Sequence, residues 1–352
     1  MNIILAGGGT GGHVIPALAI AEELRKQGHS AVFVGTARGI EVRLVPKAGF
    51  PLQLVKIGGL NRVSLGTRLR TLMDLPLSIF AAMRILRRFR AQAVIGVGGY
   101  AAGPATIAAV LLRIPVILFE PNVVPGVANR VVARFAAKAA VHFAPTGRWF
   151  RSFEVTGVPV RPSFFALPER KSKQPTLLVF GGSQGARALN RILCESAAEL
   201  LQRIPNLNIV HQTGEREFSD VCGFYAEHRI KVEVSAFIDN MAQSFADADL
   251  VVCRSGASTV AEIAAAGKCA LFVPFPGAAD DHQLRNAELL AQENAALLVP
   301  ESELTAERFM KEVTALLSDP ARLTAMGSKA RTLAHQDAAL RIAEMALSVA
   351  KS

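Results

Sequence analysis

Short apolar runs alternate along the chain with longer stretches in which apolar residues recur at helical spacing. In the first half the apolar runs lie at 2–6, 31–35, 51–55, 93–99, 115–119 and 139–143. In the second half apolar runs lie at 176–180, 250–253, 270–273 and 296–299, and further strands are expected near 207–211 and 231–234. Uniformly apolar runs are typical of strands buried on both faces, and helices between them indicate parallel connections. The pattern predicts an α/β protein with doubly wound parallel sheets, which bind ligands at the carboxyl ends of their strands.

Proline and glycine interrupt this alternation at 157–163 (GVPVRPS), which predicts a boundary between two domains. We expect an N-terminal domain at 1–158 and a C-terminal domain at 164–336, since 352 residues exceed one typical core. The last helix, about 337–352, can pack back on the first domain. Because each half opens on a glycine-rich loop, the two domains are expected to face a central cleft.

Charge is shared unevenly between the halves. Residues 1–158 carry 19 Lys and Arg against 6 Asp and Glu, whereas residues 159–352 carry 20 against 23. A basic half implies an anionic partner: nucleic acid, an anionic membrane or a phosphorylated substrate. The chain has no nucleic-acid fold signature and only two Tyr and one Trp for base stacking, so nucleic acid is not expected.

The four cysteines have no CxxC spacing, which favours reduced thiols in a cytoplasmic protein over a disulfide framework or a zinc site. The N-terminal sequence MNIILAGGG lacks the basic region of a signal peptide, and it predicts the first strand. The apolar run 100–119 is broken by Pro104, Arg113 and Pro115, which predicts a short helix and a strand instead of a transmembrane helix.

The stretch 67–90 predicts a basic amphipathic helix, with six arginines and one acid. Apolar side chains lie beside a basic rim, as on a surface that rests on anionic lipid. The alternative is a core-packing helix with a solvated basic edge. The candidate membrane patch consists of Leu77, Phe80, Met83, Arg84, Arg87 and Arg88.

The stretch 249–283 predicts a nucleotide site. An apolar strand is followed by Arg254-Ser255-Gly256 and by a helix that ends at Gly267. Ser255 or Ser258 can cap that helix, whose free N–H groups and dipole favour a phosphate. Glu262 lies one turn beyond Ser258, where a carboxylate can accept hydrogen bonds from sugar hydroxyls. The alternative is an ordinary capped strand-turn-helix.

Several motifs mimic other sites. The N-terminal loop fits G-x-G-x-x-G, but the second strand ends in Gly35-Thr36, without the acid that a dinucleotide-binding fold places on the ribose. Asp247-Ala248-Asp249 resembles a metal-binding DxD motif, yet it precedes its strand. Residues 280–282 (DDH) lack a partner cluster. We therefore expect neither a metal nor another cofactor.

Seven motifs then carry a resemblance that covers essentially the whole chain: GGGTGGH, GVGGYAAGP, FEPN, GVPVR, GGSQGA, RSGASTVAEIAAAG and DDHQ, in this order. The chain resembles the MurG family of peptidoglycan N-acetylglucosaminyltransferases. The resemblance implies a GT-B fold of two Rossmann-like domains. It also implies inverting, metal-independent transfer of N-acetylglucosamine from UDP-GlcNAc to the C4 hydroxyl of MurNAc in undecaprenyl-linked lipid I, giving lipid II. The expected location is the cytoplasmic face of the bacterial inner membrane, as a peripheral protein.

The resemblance also implies a set of site residues. Glu262 is expected on the ribose and Gln283 on the transferred sugar. The other donor residues would be Thr10, Gly11, Gly12, Asn122, Arg161, Ser183, Ile238, Ala257, Ser258, Thr259, Val260 and Ala261. The acceptor side would use Gly98, Gly99, Tyr100 and Glu120. The chain departs from the commoner family pattern at Phe119, Pro121 and Val158, which affects fine acceptor or hinge contacts.

His13 is the expected catalytic base. It lies at a helix N-terminus, where the helix dipole favours the neutral imidazole that accepts a proton. Its alternative role is a cap or a phosphate contact. The alternative activity is that of a UDP-GlcNAc 2-epimerase-type isomerase, which shares the fold and the nucleotide site. A non-catalytic nucleotide-sensing membrane protein is a third hypothesis.

Overall fold

The computed structural model describes residues 1–57, 65–171, 174–182 and 184–350, with the backbone alone for 65–72. Contacts divide the chain into two compact units. The first unit contains Met1–Val160 and the C-terminal segment from His335, and the second contains Arg161–Ala334.

A parallel sheet forms the centre of the first unit, with the strand order β3-β2-β1-β4-β5-β6-β7 within the described residues. Its strands are β1 Asn2–Gly7, β2 Ser30–Gly35, β3 Leu52–Leu54, β4 Ala93–Gly98, β5 Val116–Glu120, β6 Lys138–Val141 and β7 Phe153–Val155. The central strands β1, β4 and β5 are almost completely buried. The sequence pattern did not predict β7, whose three residues are partly exposed at the sheet edge.

Helices cover this sheet: α1 Gly11–Lys26, α2 Glu41–Lys47, α3 Leu65–Arg88, α4 Ala102–Leu111 and α5 Val127–Val132, followed by a 3₁₀ turn at Ala144–Trp149. The run 100–119 forms α4 and β5, as predicted. None of the helices within the described residues is long and apolar enough to span a bilayer.

The second unit is built on another parallel sheet, with the described order β10-β9-β8-β11-β12-β13. Its strands are β8 Thr176–Phe180, β9 Asn208–Gln212, β10 Glu233–Ser235, β11 Leu250–Cys253, β12 Cys269–Phe272 and β13 Leu297–Leu298. Its helices are α6 Pro162–Phe165, α7 Arg187–Arg203, α8 Phe218–Glu227, α9 Met241–Asp247, α10 Ala257–Ala266, α11 His282–Gln292, α12 Ala306–Leu317 and α13 Pro320–Thr332.

The strand order reverses at one place in each sheet, between β1 and β4 and between β8 and β11. At such a switch point the connections leave on opposite faces of the sheet, which opens a crevice outside the carboxyl ends of the two strands. Glycine-rich loops follow β1, β4 and β8, and the turn RSG follows β11. The topology therefore indicates four loops, two in each unit, as candidate parts of a ligand site.

The last helix, α14 Ala338–Val349, belongs to the first unit. It packs against α1, β4 and β5, and its buried residues include Ile342 and Ala346. Arg341 on this helix donates to the Glu154 carboxylate on β7 over 2.8 Å. The chain thus completes the first unit only after it has built the second.

Candidate active site

The first glycine loop joins β1 to α1, and it contains Thr10, Gly11, Gly12 and His13. Thr10 is the N-cap of α1, with extended backbone angles, and its carbonyl accepts from the His13 and Val14 N–H groups. Thr10 and Gly12 are exposed, whereas Gly11 and His13 are partly buried. The first N–H groups of a helix have no partner within it, so this loop presents donors to a negatively charged group.

The second glycine loop follows β4 and packs directly on the first. A Cβ at Gly98 would lie 2.8 Å from Cε1 of His13, and a Cβ at Gly99 would lie 2.2 Å from the Gly8 carbonyl oxygen. The absence of a side chain at Gly98 therefore provides the space that the His13 imidazole occupies. Tyr100, which follows, is half exposed. The structure thus brings His13 together with Gly98 and Gly99, as parallel neighbouring strands require.

A carboxylate that the sequence analysis missed lies in the first glycine loop. Glu41, the first residue of α2, accepts from Gly9 N at 2.7 Å and from Thr36 N at 2.9 Å. Burial acts to raise the pKa of this carboxyl, but the N–H donors outweigh it and hold the pKa below its usual value. Glu41 lies five residues beyond Thr36, at the start of the next helix, so the end of the second strand gives no sign of it. The chain's own carboxylate thus accepts a hydrogen bond from a glycine of the G-x-G-x-x-G motif.

Glu120 ends β5 and was expected on the acceptor side, but it is only 2% exposed. Its carboxylate accepts from Asn122 N at 3.1 Å, Gly126 N at 2.9 Å and Asn129 Nδ2 at 2.9 Å. Burial raises the pKa of Glu120 above its usual value despite these donors. Glu120 therefore shapes the loop 121–126 and holds Asn122 instead of presenting its own carboxylate. Phe119 and Val158, two of the departures from the family pattern, are buried side chains.

In the second unit the turn after β11 differs from the predicted capping. The N-cap of α10 is Gly256, and no side chain caps the helix. Ser255 is fully buried, and its hydroxyl donates to the Gln283 carbonyl over 2.8 Å. Ser258 lies inside the first turn of α10. The prediction that Ser255 or Ser258 caps α10 is wrong, because the N-cap position is Gly256, with Ser255 one residue before it and Ser258 inside the helix.

The α10 residues expected at the donor divide into two groups. Ser258 and Thr259 are partly exposed in the first turn, where N–H groups lack helical partners. Ala257, Val260 and Ala261 have buried side chains, and Val260 N donates to the Gly256 carbonyl. The first-turn backbone and the partly exposed side chains of Ser258, Thr259 and Glu262 are available to a ligand. Val260 and Ala261 support the helix from the core.

Glu262 and Arg161 form a pair within the second unit. Arg161 Nη2 lies 3.4 Å from Glu262 Oε1, and the Arg161 side chain is half exposed. Burial raises the pKa of Glu262 to about 7, although Arg161 acts in the opposite direction. The guanidinium also lies over the Phe164 ring, 4.9 Å from its centre. A carboxylate and a guanidinium are thus held together one helical turn beyond the α10 N-terminus.

The remaining donor residues are Gln283, Ile238 and Ser183. Gln283, in the first turn of α11, accepts from Phe275 N through Oε1 at 2.9 Å. Ile238 lies partly buried between β10 and α9. Ser183, in the third glycine loop, lies outside the described residues. In that loop, a Cβ at Gly185 would lie 2.0 Å from the Thr213 carbonyl oxygen, so the loop after β9 packs directly against it.

Neither motif that mimics a metal site assembles one. Asp249 pairs with Arg170 at 2.6 Å and accepts from Thr176 N at 2.8 Å, at the start of β11. Asp247 accepts from Lys171 N. Over the described ranges, no group of three or more His, Cys, Asp or Glu side chains is placed to hold a metal ion.

A separate surface lies on α3. Leu77 is 72% exposed and Phe80 54% exposed, and the guanidinium of Arg84 lies 5.0 Å from the centre of the Phe80 ring. Ala82 and Leu86, on the opposite side of the helix, are buried in the core. Met83 is partly buried against that core, so it is a weaker member of the predicted patch. We refer to Leu77, Phe80, Met83, Arg84, Arg87 and Arg88 as the α3 patch.

Family models and individual proteins match almost the whole chain. The glycosyltransferase family 28 N-terminal domain matches residues 3–141, and the family 28 C-terminal domain matches residues 176–342. The UDP-N-acetylglucosamine–N-acetylmuramyl-(pentapeptide) pyrophosphoryl-undecaprenol N-acetylglucosamine transferase of Solibacter usitatus is 46% identical, over 99% of this chain and 96% of its own.

Solved structures agree with these matches. The crystal structure of Acinetobacter baumannii MurG is 34% identical, with a TM-score of 0.82 over 99% of both chains. A UDP-GlcNAc 2-epimerase from Neisseria meningitidis has a TM-score of 0.72 over 99% of this chain and 100% of its own, but it is only 14% identical, which indicates a shared fold alone.

Proposed function

The chain belongs to the MurG family of glycosyltransferase family 28, and we propose that it transfers N-acetylglucosamine from UDP-GlcNAc to MurNAc of undecaprenyl-linked lipid I, giving lipid II. The observation that carries this function is 46% identity to a relative with this activity in its name, over 99% of the chain. The GT-B fold, with two doubly wound parallel-sheet units, agrees with it.

The donor binds to the second unit in this proposal. The first-turn N–H groups of α10 and the guanidinium of Arg161 stabilise the negative charge that develops on the departing UDP. Glu262 accepts hydrogen bonds from the ribose hydroxyls. An ionised carboxylate can only accept hydrogen bonds, so it pairs with hydroxyl donors and not with phosphate oxygens. Arg161 is half exposed and only 3.4 Å from Glu262, so it can exchange this carboxylate for the diphosphate when the donor enters.

His13 is the proposed base for the acceptor hydroxyl, and it belongs to the first unit. Its imidazole is held against Gly98 at the end of β4 and follows the exposed start of α1. Removal of the hydroxyl proton makes the oxygen a nucleophile for the anomeric carbon, with inversion there and loss of UDP. Gly98, Gly99 and Tyr100 lie on the same loop and are proposed to contact the acceptor. Asn122, which Glu120 holds in place, is proposed to contact the donor.

The α3 patch is proposed to dock the first unit on anionic lipid at the cytoplasmic face of the inner membrane. Exposed Leu77 and Phe80 lie beside arginines in the half of the chain that carries the excess of basic residues. Apolar insertion and attraction of Lys and Arg to anionic headgroups act together in such surfaces. An undecaprenyl chain remains in the bilayer, so docking would bring the acceptor's sugar to the unit that holds His13.

One incubation tests the reaction against its alternatives. The protein is incubated with UDP-GlcNAc and a lipid I analogue, and the products are separated by chromatography and mass spectrometry. A disaccharide lipid with UDP is expected. UDP-ManNAc without acceptor consumption would instead indicate the epimerase-type isomerase, and donor binding without any product would indicate a nucleotide-sensing protein. Glu262→Ala is the matched control, because it should weaken the reaction through the donor alone.

A further inference from the structure

Glu41 has no part in the proposed reaction, yet its carboxylate lies inside a loop that the reaction uses. The side chain is 1% exposed and accepts three hydrogen bonds: from Gly9 N, Thr36 N and Thr36 Oγ1, over 2.7, 2.9 and 3.0 Å. Gly9 belongs to the loop after β1, and Thr36 belongs to the loop after β2. One carboxylate therefore ties two loops that follow neighbouring strands.

The surrounding backbone is built to admit this side chain. A Cβ at Gly8 would lie 2.3 Å from Glu41 Oε1, one at Gly35 would lie 2.6 Å from Glu41 Cγ, and one at Gly39 would overlap Oε2. Any larger residue at these three positions would displace the carboxylate or the backbone. Three glycines from both loops thus enclose a space that fits one carboxylate.

The effect of this tie reaches His13 through a short path. Gly9 is followed by Thr10, the N-cap of α1, and His13 N donates to the Thr10 carbonyl. Gly8 N donates to the Gly98 carbonyl, so the same loop is also held on the loop that contacts the imidazole. Fixing the Gly9 amide therefore fixes the direction of the first turn of α1 from which His13 projects.

We propose that Glu41 is a positioning residue for the transfer reaction: its carboxylate ties the first glycine loop to the loop after β2 and holds His13 against Gly98. This inference rests on the proposed function of His13.

The test compares three variants at a temperature well below their measured melting points. Glu41→Gln keeps the volume of the side chain but replaces one carboxylate oxygen with an amide NH₂. One of the loop N–H groups that donate to Glu41 then loses its acceptor. We expect kcat to fall by about tenfold to hundredfold, the order of loss that a displacement of about 1 Å produces. The KM for UDP-GlcNAc should change less than kcat, because the nucleotide is held by the second unit. Glu154→Gln, which breaks the ion pairs with Lys138 and Arg341 in the same unit, is the matched control and should keep kcat.

Chemical rescue separates positioning from simple stabilisation. Glu41→Ala leaves a space that acetate can fill, so millimolar acetate should restore kcat several-fold in this variant and leave Glu41→Gln unchanged. Wild-type kcat in both variants would overturn the proposal. So would a loss that acetate does not reverse and that Glu154→Gln reproduces.

Hydrogen exchange provides a readout that does not depend on the reaction. Amides of residues 9–14 should exchange faster in the Glu41 variants than in wild type, and acetate should slow them in Glu41→Ala. If the wild type shows no transfer, the proposed function fails while this exchange result still decides whether Glu41 fixes the loop. Unchanged exchange in both variants would refute the tie itself.

Discussion

The pair of Glu262 and Arg161 predicts that donor binding depends on pH. The pKa of Glu262 is raised to about 7 in the free protein, chiefly by burial. The ionised carboxylate accepts hydrogen bonds from two ribose hydroxyls better than the protonated acid, which can itself donate. UDP-GlcNAc has no group of its own that titrates near pH 7, so the titration of Glu262 should be visible in the affinity.

The expected size follows from the ionised fraction. With a pKa of about 7, roughly a tenth of Glu262 is ionised at pH 6 and nearly all at pH 8.5. If the donor binds the carboxylate alone, its Kd should fall by up to about tenfold between these values. Glu262→Gln should bind with pH-independent affinity. The loss relative to wild type at pH 8.5 should be roughly 1.5–3 kcal/mol, the contribution of hydrogen bonds to a charged group.

Isothermal titration calorimetry with UDP-GlcNAc from pH 6 to 8.5 measures this effect. The control ligand is 2′,3′-dideoxy-UDP-GlcNAc, which lacks the hydroxyls and should show no such dependence. A pH-independent Kd in wild type would refute the role of Glu262. An equal dependence in Glu262→Gln would assign the titration to another group.

The raised pKa of Glu262 also affects the stability of the fold, and the effect of ionisation is opposite in sign to that of an acid whose pKa is lowered by folding. Because the folded-state pKa lies above the unfolded value of about 4.3, ionisation of Glu262 destabilises the free protein. The penalty is absent below the unfolded pKa and grows as pH rises towards about 7. In thermal unfolding, the melting temperature of Glu262→Gln should therefore rise relative to that of wild type over that pH interval. UDP-GlcNAc should reduce this difference in melting temperature.

Three further predictions concern the other parts of the site. His13→Ala should lower kcat by about 10²–10⁴ while the Kd of UDP-GlcNAc stays near wild type, whereas a collapse of donor affinity with intact single-turnover chemistry would support the phosphate-contact role. Charge reversal of the three arginines of the α3 patch should abolish most binding to anionic vesicles, and wild-type binding should weaken as salt shortens the Debye length to about 8 Å. Activity of this variant on a short-chain, water-soluble acceptor should survive. Vesicle binding that persists after charge reversal would contradict the docking. EDTA should leave the transfer rate unchanged, and loss of activity restored by a divalent cation would contradict the metal-independent reaction.

The sequence predicts the sheets well because their central strands are almost uniformly apolar. β7 was missed since its three residues at the sheet edge contribute no apolar run. Glu41 was missed for a different reason: its partners are backbone N–H groups in a loop after another strand, and such contacts leave no spacing rule in the sequence. The predicted capping of α10 failed because the helix begins one residue later than Ser255 requires: its N-cap is Gly256, which has no side chain.

Sequence spacing predicts a site residue's position on its own helix, but it does not predict properties that depend on how deeply the residue is buried. Glu262 could be placed one turn beyond Ser258 from helical spacing alone. Its raised pKa depends on how α10 is buried, which spacing does not give. Glu120 was expected to face the acceptor, yet tertiary packing turned its carboxylate into the support of its own loop. The resemblance gave no indication of this supporting role.

The return of α14 to the first unit sets an order of events during synthesis. Residues 161–334 are synthesised as a continuous unit, whereas residues 1–160 must wait for α14, which is synthesised only after the whole second unit. Most domains are completed in N-to-C order, but here the second unit can become native first. Until then the surfaces of α1, β4 and β5 that later cover Ile342 and Ala346 remain open to chaperones. Deletion of residues 335–352 should therefore destabilise residues 1–160 and spare residues 161–334.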